Sequence, residues 1–171
     1  MTATAFDPLE IVGTLVAHEV RFVLIGGVAL GIHGSPRVTN DTDISYERSR
    51  ANLERLAGAL RSLGARRIAD LFPEGVDAEI TADYLANEEI FAFMTEFGQL
   101  DLVAAPLGAG SFEELLRSSI EVDLSGTPVR VASLDALRDM KRARDWPVDR
   151  SDLELIREIE RRQMDRSDSD G

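Results

Sequence analysis

Asp41 and Asp43 stand two residues apart in Asp41-Thr42-Asp43-Ile44, a run with the make-up of a short strand. Side chains at i and i+2 of a strand share a face, so both carboxylates point the same way. Like charges that close repel each other and are hard to explain as fold glue. A hard divalent cation between them removes the difficulty, because Mg2+ prefers oxygen ligands and is held by one or two carboxylates plus substrate phosphates. Upstream, the apolar run Phe22 to Ile25 reads as a short buried strand that ends at Gly26-Gly27. Glycines there let backbone approach a ligand or a following helix with no Cβ in the way. A short apolar helix over 28–32 would start directly after the pair, its free N–H groups and positive dipole end suited to phosphate. A phosphate cradle followed by a metal clamp points to chemistry on a nucleotide.

The order of these pieces carries a resemblance. Gly-Gly, a short helix, Arg37-x-Thr39 and Asp-x-Asp resemble the signature of the nucleotidyltransferase superfamily, whose fold is shared with polymerase β. The fuller string GGVALGIHGSPRVTNDTDI is similar to the small prokaryotic branch that includes the AbiEii-type toxins. The resemblance implies an α/β (α+β) fold, a mixed sheet flanked by helices with further helices at the C-terminus. It implies Mg2+-dependent transfer of a nucleoside monophosphate from an NTP to an acceptor hydroxyl. RNA, tRNA above all, stands first as acceptor, with protein or aminoglycoside as alternatives, and a cognate antitoxin is the implied protein partner. A non-catalytic nucleotide-binding module of the same fold is the rival from another class.

Such a site wants a third carboxylate on a neighbouring strand, with two metals about 3.5–4 Å apart once NTP is bound. Asp101 fits: it interrupts Gln99-Leu100-Asp101-Leu102-Val103, an apolar strand in which a lone carboxylate is costly to bury. An exposed position on an edge strand is the competing explanation. Glu79, Glu121 and Asp123 are rivals, but the last two alternate with Ile120, Val122 and Leu124 and read as a solvent face. The expected catalytic and metal-holding set is therefore Asp41, Asp43 and Asp101. Gly26, Gly27, Arg37, Thr39 and Lys141 form the expected NTP-binding set.

Arg37 is placed to contact the triphosphate, or else to pair with an acidic neighbour in its loop. Small members of the family carry a lysine on a late helix that reaches the triphosphate. Lys141 followed by Asp149-Arg150-Ser151-Asp152-Leu153 is similar to their K…KDxxDL segment, although Val148 stands where the family often has a second lysine. A solvated helix charge is an equal reading of Lys141. His33 and Trp146 read as packing residues.

Composition sets the bounds. The chain has 171 residues, 44 % of them hydrophobic, which suits one domain with a proper core. With no cysteine it has neither disulfides nor thiolate metal sites, in keeping with a reducing cytoplasm. Neither a signal-peptide pattern nor a run of about 18 apolar residues is present, so a cytoplasmic protein without a membrane span is expected. A net charge of −12 argues against non-specific DNA binding. Arg138, Lys141, Arg142, Arg144 and Arg150 nevertheless crowd one segment, a local basic wall suited to a triphosphate or one RNA end.

The remaining elements follow from periodicity and punctuation. Asp7-Pro8-Leu9-Glu10 starts a helix with Leu9, Val12, Val16 and Val20 as its apolar stripe. A helix over 49–63 precedes a strand over 66–68 and an irregular loop over 70–80. A helical turn capped by Thr81 leads to strands over 89–95 and 99–104. A helix follows Ser111, a hairpin pairs 120–124 with 128–131 around Ser125-Gly126, and a helix runs from Ser133 to about Arg144, where Trp146-Pro147 ends it. Asp149 or Ser151 caps the last helix, and 165–171 reads as a disordered polar tail. The division expected is one domain over 1–164, its core at about 8–132 and a helical part at about 133–164.

Overall fold

In the computed structural model, which describes residues 5–169, eight strands form one mixed sheet with seven helices around it. The elements in chain order are α1 (Pro8–Ala17), β1 (Phe22–Ile25), α2 (Gly26–Ile32), β2 (Asp41–Tyr46), α3 (Arg50–Ser62), β3 (Arg66–Ala69) and β4 (Phe72–Val76). They continue with α4 (Ala82–Ala86), β5 (Ile90–Thr95), β6 (Gly98–Val103), α5 (Phe112–Ser118), β7 (Ile120–Leu124), β8 (Thr127–Val131), α6 (Leu134–Arg144) and α7 (Pro147–Ser169).

Strand order is β4-β3-β5-β6-β2-β1-β8-β7. The β2–β6 and β1–β8 pairs are parallel and the others antiparallel. All four residues of β1 are buried, as a central strand covered on both faces requires. On β2 and β6 burial alternates. Thr42, Ile44, Leu100 and Leu102 are wholly buried, while Asp41, Asp43, Gln99 and Asp101 lie on the more open face. Hydrophobic side chains from β1, β2, β5, β6, α1 and α3 make one continuous core.

Local signals explain most boundaries. Ser49, Thr81, Ser111 and Ser133 each cap a helix through the side-chain oxygen, and Ser111 with Glu114 completes a reciprocal capping box. Ser125 and Gly126 both have positive φ, 53° and 89°, the geometry of a two-residue hairpin turn.

The differences from expectation are instructive. The irregular loop over 70–80 contains edge strand β4, which holds Pro73 and Gly75 and is mostly exposed, so no alternation marks it. On α1 the buried stripe is Ile11, Val12 and Leu15, whereas Leu9 is half exposed. Pro147 opens α7 as its first residue instead of closing α6, which ends on Asp145 in the left-handed region. Asp149 therefore sits in the first turn of α7, not at its cap. Trp146 is largely exposed instead of anchoring the core. The tail expected from 165 continues α7 to Ser169, with Ser167 and Ser169 donating back to the carbonyls of Gln163 and Asp165. Residues 170–171 lie outside the described residues.

Candidate active site

The parallel pairing of β2 with β6 sets Asp41 opposite Gln99 and Asp43 opposite Asp101. Side chains directly opposite on one face are neighbours, so the register alone gathers three carboxylates. One oxygen from each of Asp41, Asp43 and Asp101 lies within 4.8 Å of the others. The third acid, expected on a strand far along the chain, thus stands beside the first two.

Burial and mutual repulsion mark the electrostatics. Burial, together with the charges of Asp41 and Asp101, raises the Asp43 carboxyl to about 7, against the opposing pull of Lys141 and Arg144. Asp101 is also raised, chiefly by burial and further by Asp41, although Gln99 opposes this by donating from Nε2 to Asp101 Oδ1 at 2.8 Å. Thr39 donates from Oγ1 to Asp41 Oδ1 at 2.6 Å and so fixes the rotamer of that acid.

These carboxylates are hard oxygen donors sharing one partly open face, the donor chemistry suited to a divalent cation such as Mg2+.

The glycine pair has a use beyond the one expected. It lies within the first turn of α2, and Gly26 has a φ of +67°. A Cβ on Gly26 would overlap Asp43 Oδ2, and one on Gly27 would come within 2.7 Å of Thr39 Oγ1. Both glycines therefore make room for the site's own side chains to lie against the start of the helix. Open backbone N–H groups still face this region, since Ile25 gives α2 no side-chain cap.

Beside the acids lies a second charged cluster. Lys141, buried on α6, reaches Asp152 Oδ2 at 2.8 Å and Asp149 Oδ1 at 3.3 Å, both from α7. Arg37, in the loop between α2 and β2, reaches Asp152 Oδ1 at 3.1 Å. Arg144 grips Asp149 through Nε and Nη2 at 2.8 and 2.6 Å and lies over the Trp146 ring at 4.5 Å. Burial alone would raise the Asp149 carboxyl. The bonds from Arg144 and the Trp146 N–H, with the charge of Lys141, overcome it and hold that carboxyl down at about 2. Lys141 is thus not a solvated charge, and Arg37 does have an acidic partner, though one from α7.

The basic wall over 138–150 is mostly consumed within the fold. Arg138 pairs with Asp135 and Glu160, Arg150 with Asp145, and Lys141 and Arg144 as above. His33 Nε2 meets the Ala132 carbonyl at 2.8 Å, a packing role. Asp149 and Asp152 are the members of this region that sequence reading did not single out for the site. The signal was their spacing of three, which puts both on one helix face. A pocket of about 380 Å3 opens at the outer end of the acids, lined by Arg37, Val38, Thr39, Asn40, Asp41 and Gln99.

A mixed sheet that carries two acids on one strand, a third on its parallel neighbour and a glycine turn against them defines a nucleotidyltransferase of the polymerase β-like fold. Solved structures agree on the fold. The lincomycin-bound lincosamide adenylyltransferase LnuA superposes with a TM-score of 0.60 at 14 % identity, over 91 % of this chain and 99 % of that one. ANT(2'')-Ia in complex with adenylyl-2''-tobramycin gives 0.54 at 19 %, over 88 % and 89 %. An antigenic nucleotidyltransferase-like protein from Paracoccidioides brasiliensis gives 0.50 at 14 %, over 90 % and 78 %. No curated protein matches the chain by sequence. The family model described as "Nucleotidyl transferase AbiEii toxin, Type IV TA system" matches residues 12–143, and the chain belongs to that family. It is a nucleotidyltransferase. Among the described residues no helix is long and apolar enough to cross a membrane.

Proposed function

We propose that this nucleotidyltransferase moves a nucleoside monophosphate from an NTP to a hydroxyl of RNA, tRNA above all, and releases pyrophosphate. The observation that carries the reading is the register that sets Asp43 opposite Asp101, with Asp41 on the same face. Asp41, Asp43 and Asp101 would hold Mg2+, which supplies charge neutralisation at the triphosphate and acidifies the attacking hydroxyl.

The chain's own groups account for the rest. Asp101, opposite Asp43 on the neighbouring strand, would help activate the acceptor hydroxyl by taking its proton. The acceptor oxygen forms its bond to the α-phosphorus as the bond from that phosphorus to the β-phosphate bridging oxygen breaks, and pyrophosphate carries that electron pair away. Gly26 and Gly27 bring the α2 backbone to the phosphates, Thr39 keeps Asp41 in place, and Arg37 and Lys141 offset charge on the leaving side. Fixed charges aligned on a transferring phosphoryl group supply most of the rate in such reactions. The family description implies a cognate antitoxin as partner, and we place the reaction in the cytoplasm, where NTPs and tRNA are available.

Transfer to a small hydroxyl compound or a protein is the second reading. It is favoured by the internal pairing of the basic segment, which leaves little of the expected wall for a long RNA. The test incubates the protein with Mg2+, each α-labelled NTP in turn and total tRNA, with Asp43→Asn as control. Label on tRNA from the wild type and none from Asp43→Asn is the expected result. Label on protein would replace the acceptor, and wild-type-like labelling by Asp43→Asn would overturn the metal assignment. NTP binding that is independent of Mg2+ and without turnover would establish a non-catalytic module.

A further inference from the structure

The two cations assigned above to the triphosphate come from separate parts of the chain, and each needs a support. Arg37 sits in an irregular loop, with a single local bond from its N–H to Ser35 Oγ at 3.3 Å. Lys141 is a long, rotamer-rich side chain on α6. Among the described residues the one carboxylate that touches both is Asp152, wholly buried on α7. Among the described residues no hydrogen-bond donor satisfies either of its oxygens, so its partners are these two cations. Asp152 shares a helix face with Ile156 and Ile159, both in the hydrophobic interior, so the carboxylate is carried on an anchored surface.

We infer that Asp152 is a positioning residue, which bridges Arg37 and Lys141 and so presents both to the triphosphate beside the Asp41–Asp43–Asp101 face. The inference rests on the proposed phosphate role of those two cations.

Bridging and competing with the phosphate are opposite possibilities, and the geometry favours bridging. Lys141 meets Asp149 and Asp152 as charge contacts and makes no hydrogen bond to Asp152, so its three N–H donors are not used up on that carboxylate. Arg37 has five N–H donors and gives one contact to Asp152, while its side chain stays 36 % exposed. Three cations share two carboxylates in this network, so it keeps a positive charge with which to meet phosphate. Asp152 itself has no exposed surface through which phosphate or solvent could displace it.

The test measures binding of Mg2+-tripolyphosphate, the portion common to every NTP, and of each Mg2+-NTP to the full chain by calorimetry. Arg37→Gln and Lys141→Gln should each weaken Kd by about tenfold, the loss of one charge-assisted contact. Asp152→Asn should weaken it to a similar extent. Added to the Arg37→Gln/Lys141→Gln double variant, it should change Kd by less than about twofold, because its route is already gone. An additive loss would mean a general structural effect, and an unchanged or tighter Kd in Asp152→Asn would mean that Asp152 competes. Either overturns the inference. Should Asp152→Asn fail to fold, Asp152→Glu keeps the charge and displaces it. A loss of about threefold or more is then expected, and wild-type Kd refutes the bridge. If Arg37→Gln and Lys141→Gln both bind normally, the phosphate assignment fails and the inference with it. If they weaken binding but Asp152→Asn does not, only the inference fails.

Discussion

The carboxylates of β2 and β6 and the charged side chains between α6 and α7 are neighbours, and both groups are partly taken out of water. The first gathers like charges, and its central member is driven up to about 7. The second alternates signs, and its Asp149 is held down at about 2. The contrast teaches which cluster the fold needs and which it tolerates. Alternating charges, once assembled, stabilise one another, whereas removal of one partner strands the rest in low dielectric. Like charges oppose folding unless something positive arrives, so their presence fits the cation proposed to sit among them.

The comparison predicts opposite signs for two chemically identical substitutions. Asp149→Asn strands Arg144 and loosens Lys141, and should lower stability by about 3 kcal/mol or more in urea unfolding. Asp43→Asn, which should abolish transfer, ought instead to raise stability by about 2 kcal/mol in a chelator at pH 8. A destabilised Asp43→Asn under those conditions would mean that the acid cluster is structural after all.

Acidity sharpens the same contrast. The Asp43 carboxyl lies above its ordinary value in the folded state, so the folded protein binds that proton more tightly than the unfolded chain. Its stabilising contribution is complete below about pH 4 and is lost as the pH rises to about 7. The gap in melting temperature between Asp43→Asn and wild type should therefore open across that window. The reverse applies to Asp149, whose contribution holds above about pH 4 and is lost as the pH falls towards 2. A smaller effect is expected at Gly26. Gly26→Ala meets a left-handed backbone and the Asp43 carboxylate together, and should cost about 1–2 kcal/mol in thermal unfolding while impairing transfer. Unchanged activity there would mean that Asp43 does not need its observed rotamer.

Much of the site was legible because its signals are local. The i, i+2 acids, the glycine pair and the serine caps each report a backbone geometry within a few residues of themselves. Asp101 was legible for a different reason, as a lone charge in an otherwise apolar strand. What escaped depends on partners distant in sequence. Asp149 reads as a helix cap and Asp152 only as part of a family-like segment until Lys141, Arg37 and Arg144 are brought against them. Lys141 itself read equally as a surface charge for the same reason. The edge strand β4 escaped because an exposed strand with Pro73 and Gly75 has no buried face to impose alternation. Pro147 was taken as a stop although the residue is as well suited to the first turn of a helix, and the left-handed Asp145 followed by Trp146 separates the two helices.

The pairing of β2 with β6 has a last consequence. Because side chains alternate along both strands, the site keeps a reading frame of its own. Residues gained or lost in the exposed turn between β3 and β4 fall at the sheet edge, where a change of length is absorbed at little entropic cost. A single residue gained or lost inside 41–43 or 99–101 would exchange the faces, turning an acid inward and bringing out Thr42 or Leu100 in its place. Variation in length should therefore accumulate at the β3–β4 edge, while β2 and β6 change only by substitution.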